Sequence, residues 1–217
     1  MKNLLMKEFK LATPALTYLF IGFALMTFIP GYPILCGAFF VCMGIFQGYQ
    51  VNRESNDILY SVLLPVSKSD VVKGKYLAVV ILQMMAFILC VICTLVRMLK
   101  LSNALVYETN VLMPANFVYL AFVLLIFACF NVIFLGGFFK TAYDIGKPFI
   151  FFIVVTFIII VAAEALHYIP GLGWTNALDF SFLGKQVTSL IVAIFIYIAT
   201  TIISCRKSCL RFQKIDL

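Results

Sequence analysis

Six long apolar stretches alternate with short polar or charged segments along the chain, at residues 15–29, 33–51, 76–96, 115–139, 148–168 and 187–204. In hydrocarbon the backbone must satisfy its own polar groups, and about 20 apolar residues of helix cover a core roughly 30 Å thick. The pattern predicts an all-α, polytopic membrane protein with six transmembrane helices, built as a single domain over residues 1–217. The first apolar run is longer than the core of a signal peptide, and no small-residue cleavage site follows it. The N-terminus is therefore expected to be retained.

The polar intervals organise the rest. Residues 1–13 place Asn3, Lys7 and Lys10 on one helical arc with Leu5, Phe9 and Ala12 roughly opposite. That arrangement suits an interfacial helix or a solvated lead-in to the first span. Residues 52–75 and 139–147 are charged loops on one side. On the other side, residues 98–114 read as a polar loop. Residues 169–183 mix turn residues with Trp174, Leu178 and Phe180, which predicts a short amphipathic or re-entrant helix. A basic tail, residues 205–217, closes the chain.

Composition supports this picture: 64% of the residues are apolar and 12% charged, with a mean hydropathy of +1.11. A soluble domain of this size would carry more charge. Lys and Arg mark the cytoplasmic side of a membrane protein. With the N-terminus inside, only Arg97, Lys100 and Lys185 fall outside, against thirteen Lys and Arg inside, which predicts that both termini are cytoplasmic. The net charge of +7 then reflects topology and contact with anionic lipid headgroups, not nucleic acid. Most of the seven cysteines lie within spans as small apolar residues. Cys90 and Cys93 lack a second ligand pair, so neither a disulfide framework nor a metal site is expected.

The first charged loop is the richest in signals. Ser55 or Asn56 is placed to cap a helix through Asp57, Ile58, Leu59, Tyr60, Val62 and Leu63, and Pro65 stops it. Ser67 and Asp70 form the S-x-x-D pattern of a capping box, opening a second helix that runs through Lys75 into the third span. The apolar face of the first helix suits a bilayer surface, a partner's groove or a plain connector. In the second span, Gly37, Gly44 and Gly48 recur on one face, for packing within the chain or at a dimer seam. Gln83, Thr94, Asn131 and Thr156 lie inside spans, where interhelical hydrogen bonds are the common use.

Catalytic motifs are sparse. A P-loop needs glycines, Lys and Ser/Thr in fixed order; Gly74-Lys75 has Ser69 and Tyr76 at the critical places, and Gly146-Lys147 precedes Pro148. Any motor must come from another chain. Glu164 and His167 form an E-x-x-H pair on one helical face toward the end of a span. Hydrated pairing near the headgroups, a substrate- or proton-linked role, and catalysis or metal binding with Glu108 or Asp179 are the open readings.

The run from Leu63 to Tyr76, LLPVSKSDVVKGKY, with Glu54 before it, resembles the first cytoplasmic loop of ABC-2 type transporter permeases. Within that family the chain is similar to the short six-span branch that includes bacterial exporters of phenol-soluble modulins and related amphipathic peptides. The ending SCRKSCLRFQKIDL is similar to the family's basic tail. The resemblance implies a half-transporter of the bacterial plasma membrane, a homodimer or heterodimer of permeases with two ABC ATPase subunits that hold ATP and Mg, and no cofactor on this chain. It places the coupling helix at residues 55–64, with Glu54 and Asp57 as polar contacts, Leu59 and Leu63 as apolar anchors, and Pro65 at its end. Lys140, Asp144 and Lys147 become the second, smaller contact. The implied activity is export of amphipathic or hydrophobic substrates such as cytolytic or antimicrobial peptides. Lipid or drug export, peptide self-immunity, and a non-transporting membrane scaffold are the alternatives.

Overall fold

The computed structural model describes residues 2–101, 104–108, 112–178 and 180–215, and all regular elements among these residues are helical. The N-terminal segment is bent. Helix α1 (Lys2–Lys7) continues as a π-turn over Glu8–Ala12, and α2 (Ala15–Ile21) runs into a 3-10 stretch, Gly22–Phe28. The two halves meet at 90°. The corner has a local cause: Thr13 precedes Pro14, whose ring disfavours helical backbone at the residue before it, and Thr13 is extended at φ −100, ψ 109.

The remaining helices are α3 (Cys36–Glu54), α4 (Asp57–Leu63), α5 (Lys68–Lys100), the single turn α6 (Leu105–Glu108), α7 (Phe117–Cys129), α8 (Gly136–Thr141), α9 (Gly146–Ala165) and α10 (Leu183–Gln213). A π-turn at Phe130–Leu135 joins α7 to α8 as one rod. Among the described residues, four helices are long and apolar enough to cross a membrane: Lys68–Lys100, Phe117–Thr141, Gly146–Tyr168 and Leu183–Gln213. The bent N-terminal pair makes a fifth if taken as one span. The expected second span forms as α3, but its last eight residues include Gln47, Gln50, Asn52, Arg53 and Glu54, and it falls short of the others in apolarity. So six expected spans become four clear ones, a bent pair and a helix apolar over its N-terminal part. The last helix also runs on to Gln213, past the expected edge at 204.

The α7–α8 rod is the core of the bundle, with α10, α9, α5 and α3 around it, and the N-terminal pair packs on α3 and α5. Aromatic side chains fill the space between rod, α3 and α9. Phe46 stacks on Phe149 at 3.6 Å, and Phe134 meets Tyr49 and Phe149 edge-on. Outward, α9 exposes Phe151, Val154 and Ile158, and α10 exposes Ile191, Phe195 and Ile202, which is the pattern of helices solvated by lipid.

The glycine face of α3 is occupied within the chain. A Cβ on Gly37 would lie 2.7 Å from the Phe23 carbonyl oxygen, one on Gly44 would overlap Phe20, and Thr17 Oγ1 donates to the Gly44 carbonyl at 2.9 Å. This close approach to the N-terminal pair leaves no room there for a second copy.

At the opposite end from the charged loops, the expected amphipathic or re-entrant helix is instead two 3-10 turns, Gly173–Asn176 and Phe180–Phe182. Side-chain amides take over the work of a helix there: Asn116 Nδ2 donates to the Thr175 carbonyl at 2.7 Å, and Gln186 Nε2 to that of Ala177 at 2.8 Å. Asp179 lies outside the described residues. The region expected as a polar loop is shortened, because α5 extends to Lys100.

Candidate functional site

The two charged loops, α1 and the last turn of α10 meet at one end of the bundle. Lys7 Nζ donates to Ser61 Oγ at 2.7 Å, Lys68 Nζ to the Ile215 carbonyl at 2.6 Å, and Arg211 Nη1 to that of Gly136 at 3.1 Å. Local sequence sets the path of the first loop. Asn56 adopts the left-handed conformation (φ 52) that Asn tolerates better than most residues, and this turns the chain from α3 into α4. The expected cap at Ser55 or Asn56 is not made, since Ser55 Oγ donates to the Asn52 carbonyl and Asn56 caps nothing with its side chain. Leu64, before Pro65, is extended and ends α4. Ser67 then caps α5, its Oγ accepting from the Asp70 amide at 3.1 Å.

Beneath α4 lies an ion cluster. Asp57 holds Lys7 at 2.6 Å and Lys75 at 2.7 Å, while Glu8 holds the same two ammonium groups at 2.9 and 3.1 Å. Lys75 is 2% exposed and Glu8 5%, so each charge depends on its opposite. Burial alone would raise the Asp57 carboxyl; the ammonium groups of Lys75 and Lys7 outweigh it and hold the group below its ordinary range. Burial likewise lowers Lys7, and the carboxylates of Glu8 and Asp57 more than reverse this, raising it. The cluster ties α1, α4 and α5 into one unit. Two positive and two negative side chains in sequence gave no hint of it, because Glu8 sits in the N-terminal segment and Lys75 at a span edge; the one available signal was two charges placed where a helix must enter the membrane.

Helix α4 therefore has two unlike faces. Asp57 and Ser61 turn inward, so Asp57 is engaged within the chain, not presented outward. Leu59, Tyr60, Leu63 and Leu64 are exposed, with Leu63 at 74%, and Glu54 is exposed beside them. The second loop lies next to this face. The Arg53 guanidinium covers the Tyr143 ring at 5.5 Å, and Ile58, Leu59, Phe138 and Tyr143 enclose a cavity of about 210 Å³ between the loops. Thr141 Oγ1 accepts from the Asp144 amide at 3.0 Å, Ala142 turns the chain at φ 59, and Lys140 stays exposed. Glu54, Leu59 and Leu63 thus lie on the open side of the first loop, while Lys140 and Asp144 lie on the second loop beside a separate cavity lined by Gly137 and Pro148.

Glu164 and His167 lie at the far end. Glu164 Oε2 accepts the Met113 amide at 2.7 Å, whereas His167 falls in the 3-10 turn after α9, its ring 3.9 Å from that of Tyr168. The carboxylate thus anchors the segment leading into α7. Among the described residues, no group of His, Cys, Asp and Glu could hold a metal ion.

Midway along the bundle runs a polar seam. Gln83 and Asn131 exchange two hydrogen bonds at 3.0 Å, Tyr197 Oη donates to Gln83 Oε1 at 2.8 Å, and Asn131 Nδ2 donates to Thr201 Oγ1 at 3.0 Å. The π-turn frees the Asn131 carbonyl, which accepts Ser204 Oγ at 2.8 Å. Gln83 and Asn131 act as interhelical glue; Thr94 and Thr156 are buried outside the seam.

A family model described as ABC-2 family transporter protein matches residues 3–213 of the chain. No curated protein and no solved structure matches it.

Proposed function

The chain belongs to the ABC-2 family of transporter proteins, and on that premise we propose that it is the permease subunit of an ABC exporter, driven by ATP hydrolysed on separate ATPase subunits. The observation that carries this reading is the two-faced α4. An exposed apolar pair one turn apart, Leu59 and Leu63, stands on a short helix whose other face is bolted to α1 and α5 through ions. A plain connector has no need of such a mount, while a helix that takes a push from a partner does. On this reading the six apolar segments, including α3 and the bent pair, all cross or enter the bilayer. The charged end faces the cytoplasm, where Lys and Arg accumulate.

Two permeases, identical or similar, would pair over two ATPases, and closure of the ATPases would shift the permeases between inward- and outward-open states. The substrate class is amphipathic or hydrophobic, with cytolytic or antimicrobial peptides favoured by the resemblance. The direct test is purification from the native membrane in mild detergent, with mass spectrometry of co-purifying chains and assay of ATP hydrolysis. A stoichiometric P-loop ATPase is expected with the wild-type chain and is expected to be lost from the Leu59→Asp, Leu63→Asp double variant, which should still insert. Equal recovery of the ATPase with both would remove α4 as the coupling element.

A further inference from the structure

A groove of about 260 Å³ runs between the π-turn and α8 on one side and α10 on the other. Its apolar wall is Val132 and Ile203, 43% and 51% exposed, so it opens sideways to the bilayer. Along α10 it is lined at positions 200, 203, 204, 207 and 211, one helical face. From Thr200 to Arg211 that face rises about 16 Å, close to half of a hydrocarbon core of roughly 30 Å. The groove therefore runs from its basic rim about 10 Å, from Lys207 to Thr200, into one leaflet.

Its charge is one-sided. Lys207 and Arg211 stand at the outer rim of this leaflet and no carboxylate is among the described lining residues; α10 has no Asp or Glu anywhere between Leu183 and Gln213. Nor is Arg211 free to wander. Gly136, without a side chain, leaves its carbonyl open, and Arg211 Nη1 binds it at 3.1 Å. This fixes one cation over the groove while its remaining N–H donors stay available. The ion pairs found elsewhere at this end do not reach here, since they involve Lys7, Lys73 and Lys75.

We infer that this groove is a seat for an anionic phospholipid, its phosphate against Lys207 and Arg211 and one acyl chain along Val132 and Ile203. An apolar wall open to the bilayer, with two cations at its rim that have no carboxylate partner among the described residues, is complementary to that molecule and not to a zwitterionic lipid, whose charge cancels. Basic pockets between spanning helices at a membrane face bind anionic headgroups in this way. The proposal needs membrane insertion and the groove alone; it stands whether or not the chain transports anything.

The test reconstitutes full-length protein in phosphatidylcholine vesicles doped with spin-labelled phosphatidylglycerol or spin-labelled phosphatidylcholine, and reads the motionally restricted fraction. Wild-type protein should restrict phosphatidylglycerol preferentially, and the Lys207→Gln, Arg211→Gln pair should lower that preference by roughly tenfold. Arg206→Gln removes a neighbouring charge outside the groove and should leave it intact. Ile203→Trp keeps every charge but fills the wall, and should lower the preference as well. Loss on Arg206→Gln equal to that of the pair would reduce the effect to general surface charge and overturn the seat. Displacement of the lipid by millimolar inorganic phosphate would assign the cations to a soluble anion. Cross-linking of Ile203→Cys to its counterpart in a second chain, with no lipid preference, would give the groove to a dimer seam. Either result rejects the proposal.

Discussion

At the scale of single residues, the ion cluster under α4 makes the sharpest predictions. Lys75→Met leaves Glu8 and Asp57 with a single cation between them, and removing one partner of a buried pair costs about 3 kcal/mol or more; thermal unfolding in detergent should register it as a drop well beyond that of Lys73→Met, whose ion pair with Asp70 is exposed. The pH dependence follows from the two shifted groups. The Asp57 value is depressed, so its contribution is complete above its ordinary 3.8 and fades as pH falls through the lower folded value. The Lys7 value is raised, so its contribution is complete below 10.5 and fades only above that. Stability should thus be flat through neutrality, and the gap in melting temperature between wild type and Asp57→Asn should close only in strong acid. A gap that closes near pH 6 would mean another group governs the cluster. In the polar seam, Asn131→Leu strands Gln83 and Thr201, and a loss of about 1–2 kcal/mol is expected from interhelical hydrogen bonds of this kind.

Among the elements, the fit of α3 against the N-terminal pair ranks three glycine substitutions in advance. Gly37→Ala drives a methyl to 2.7 Å from a backbone oxygen that cannot move cheaply, whereas Gly48→Ala meets Pro14 and Thr17 at 3.4 Å, ordinary contact. Gly37→Ala should cost about 1–3 kcal/mol and Gly48→Ala little, with Gly44→Ala also costly because it strikes Phe20; melting temperatures of the three variants decide the order. These glycines were legible in the sequence by spacing, as were the capping of α5 by Ser67, the stop at Pro65 and the use of Gln83 and Asn131 between helices. What was not legible depends on partners far apart in the chain. No local pattern pairs Glu8 with Lys75, and the amides of Asn116 and Gln186 that tie down the segment expected as a helix come from different helices. The residues of the first charged loop were named from sequence, but their facing was not: Asp57 turns to the cluster because Lys7 and Lys75 converge there, which becomes apparent only once α1 folds back at Thr13.

For the whole molecule, the bundle has a charged end holding α1, the last turn of α10 and both loops, and an end organised by amides and Glu164. Reporters fused to the N- and C-terminus should therefore report the same side of the membrane, and opposite sides would break the arrangement. Helix α5 connects the two ends. Its 33 residues contain no proline, and at 1.5 Å per residue they form a beam of about 50 Å. Near one end Lys75 grips Glu8; near the other, Arg97 Nη1 donates to the Thr27 carbonyl at 2.7 Å. The beam is thus clamped at both ends to the same N-terminal segment, and an unbroken helix without proline offers no hinge at which a load could be absorbed. Pivoted at mid-bilayer, a tilt of about 5° carries each end roughly 2 Å in opposite directions. A nudge under α4 would then arrive at Arg97 reversed, as in a see-saw, along with the Tyr107 ring that Arg97 covers at 4.2 Å and the Phe28 carbonyl to which Tyr107 Oη donates at 2.9 Å.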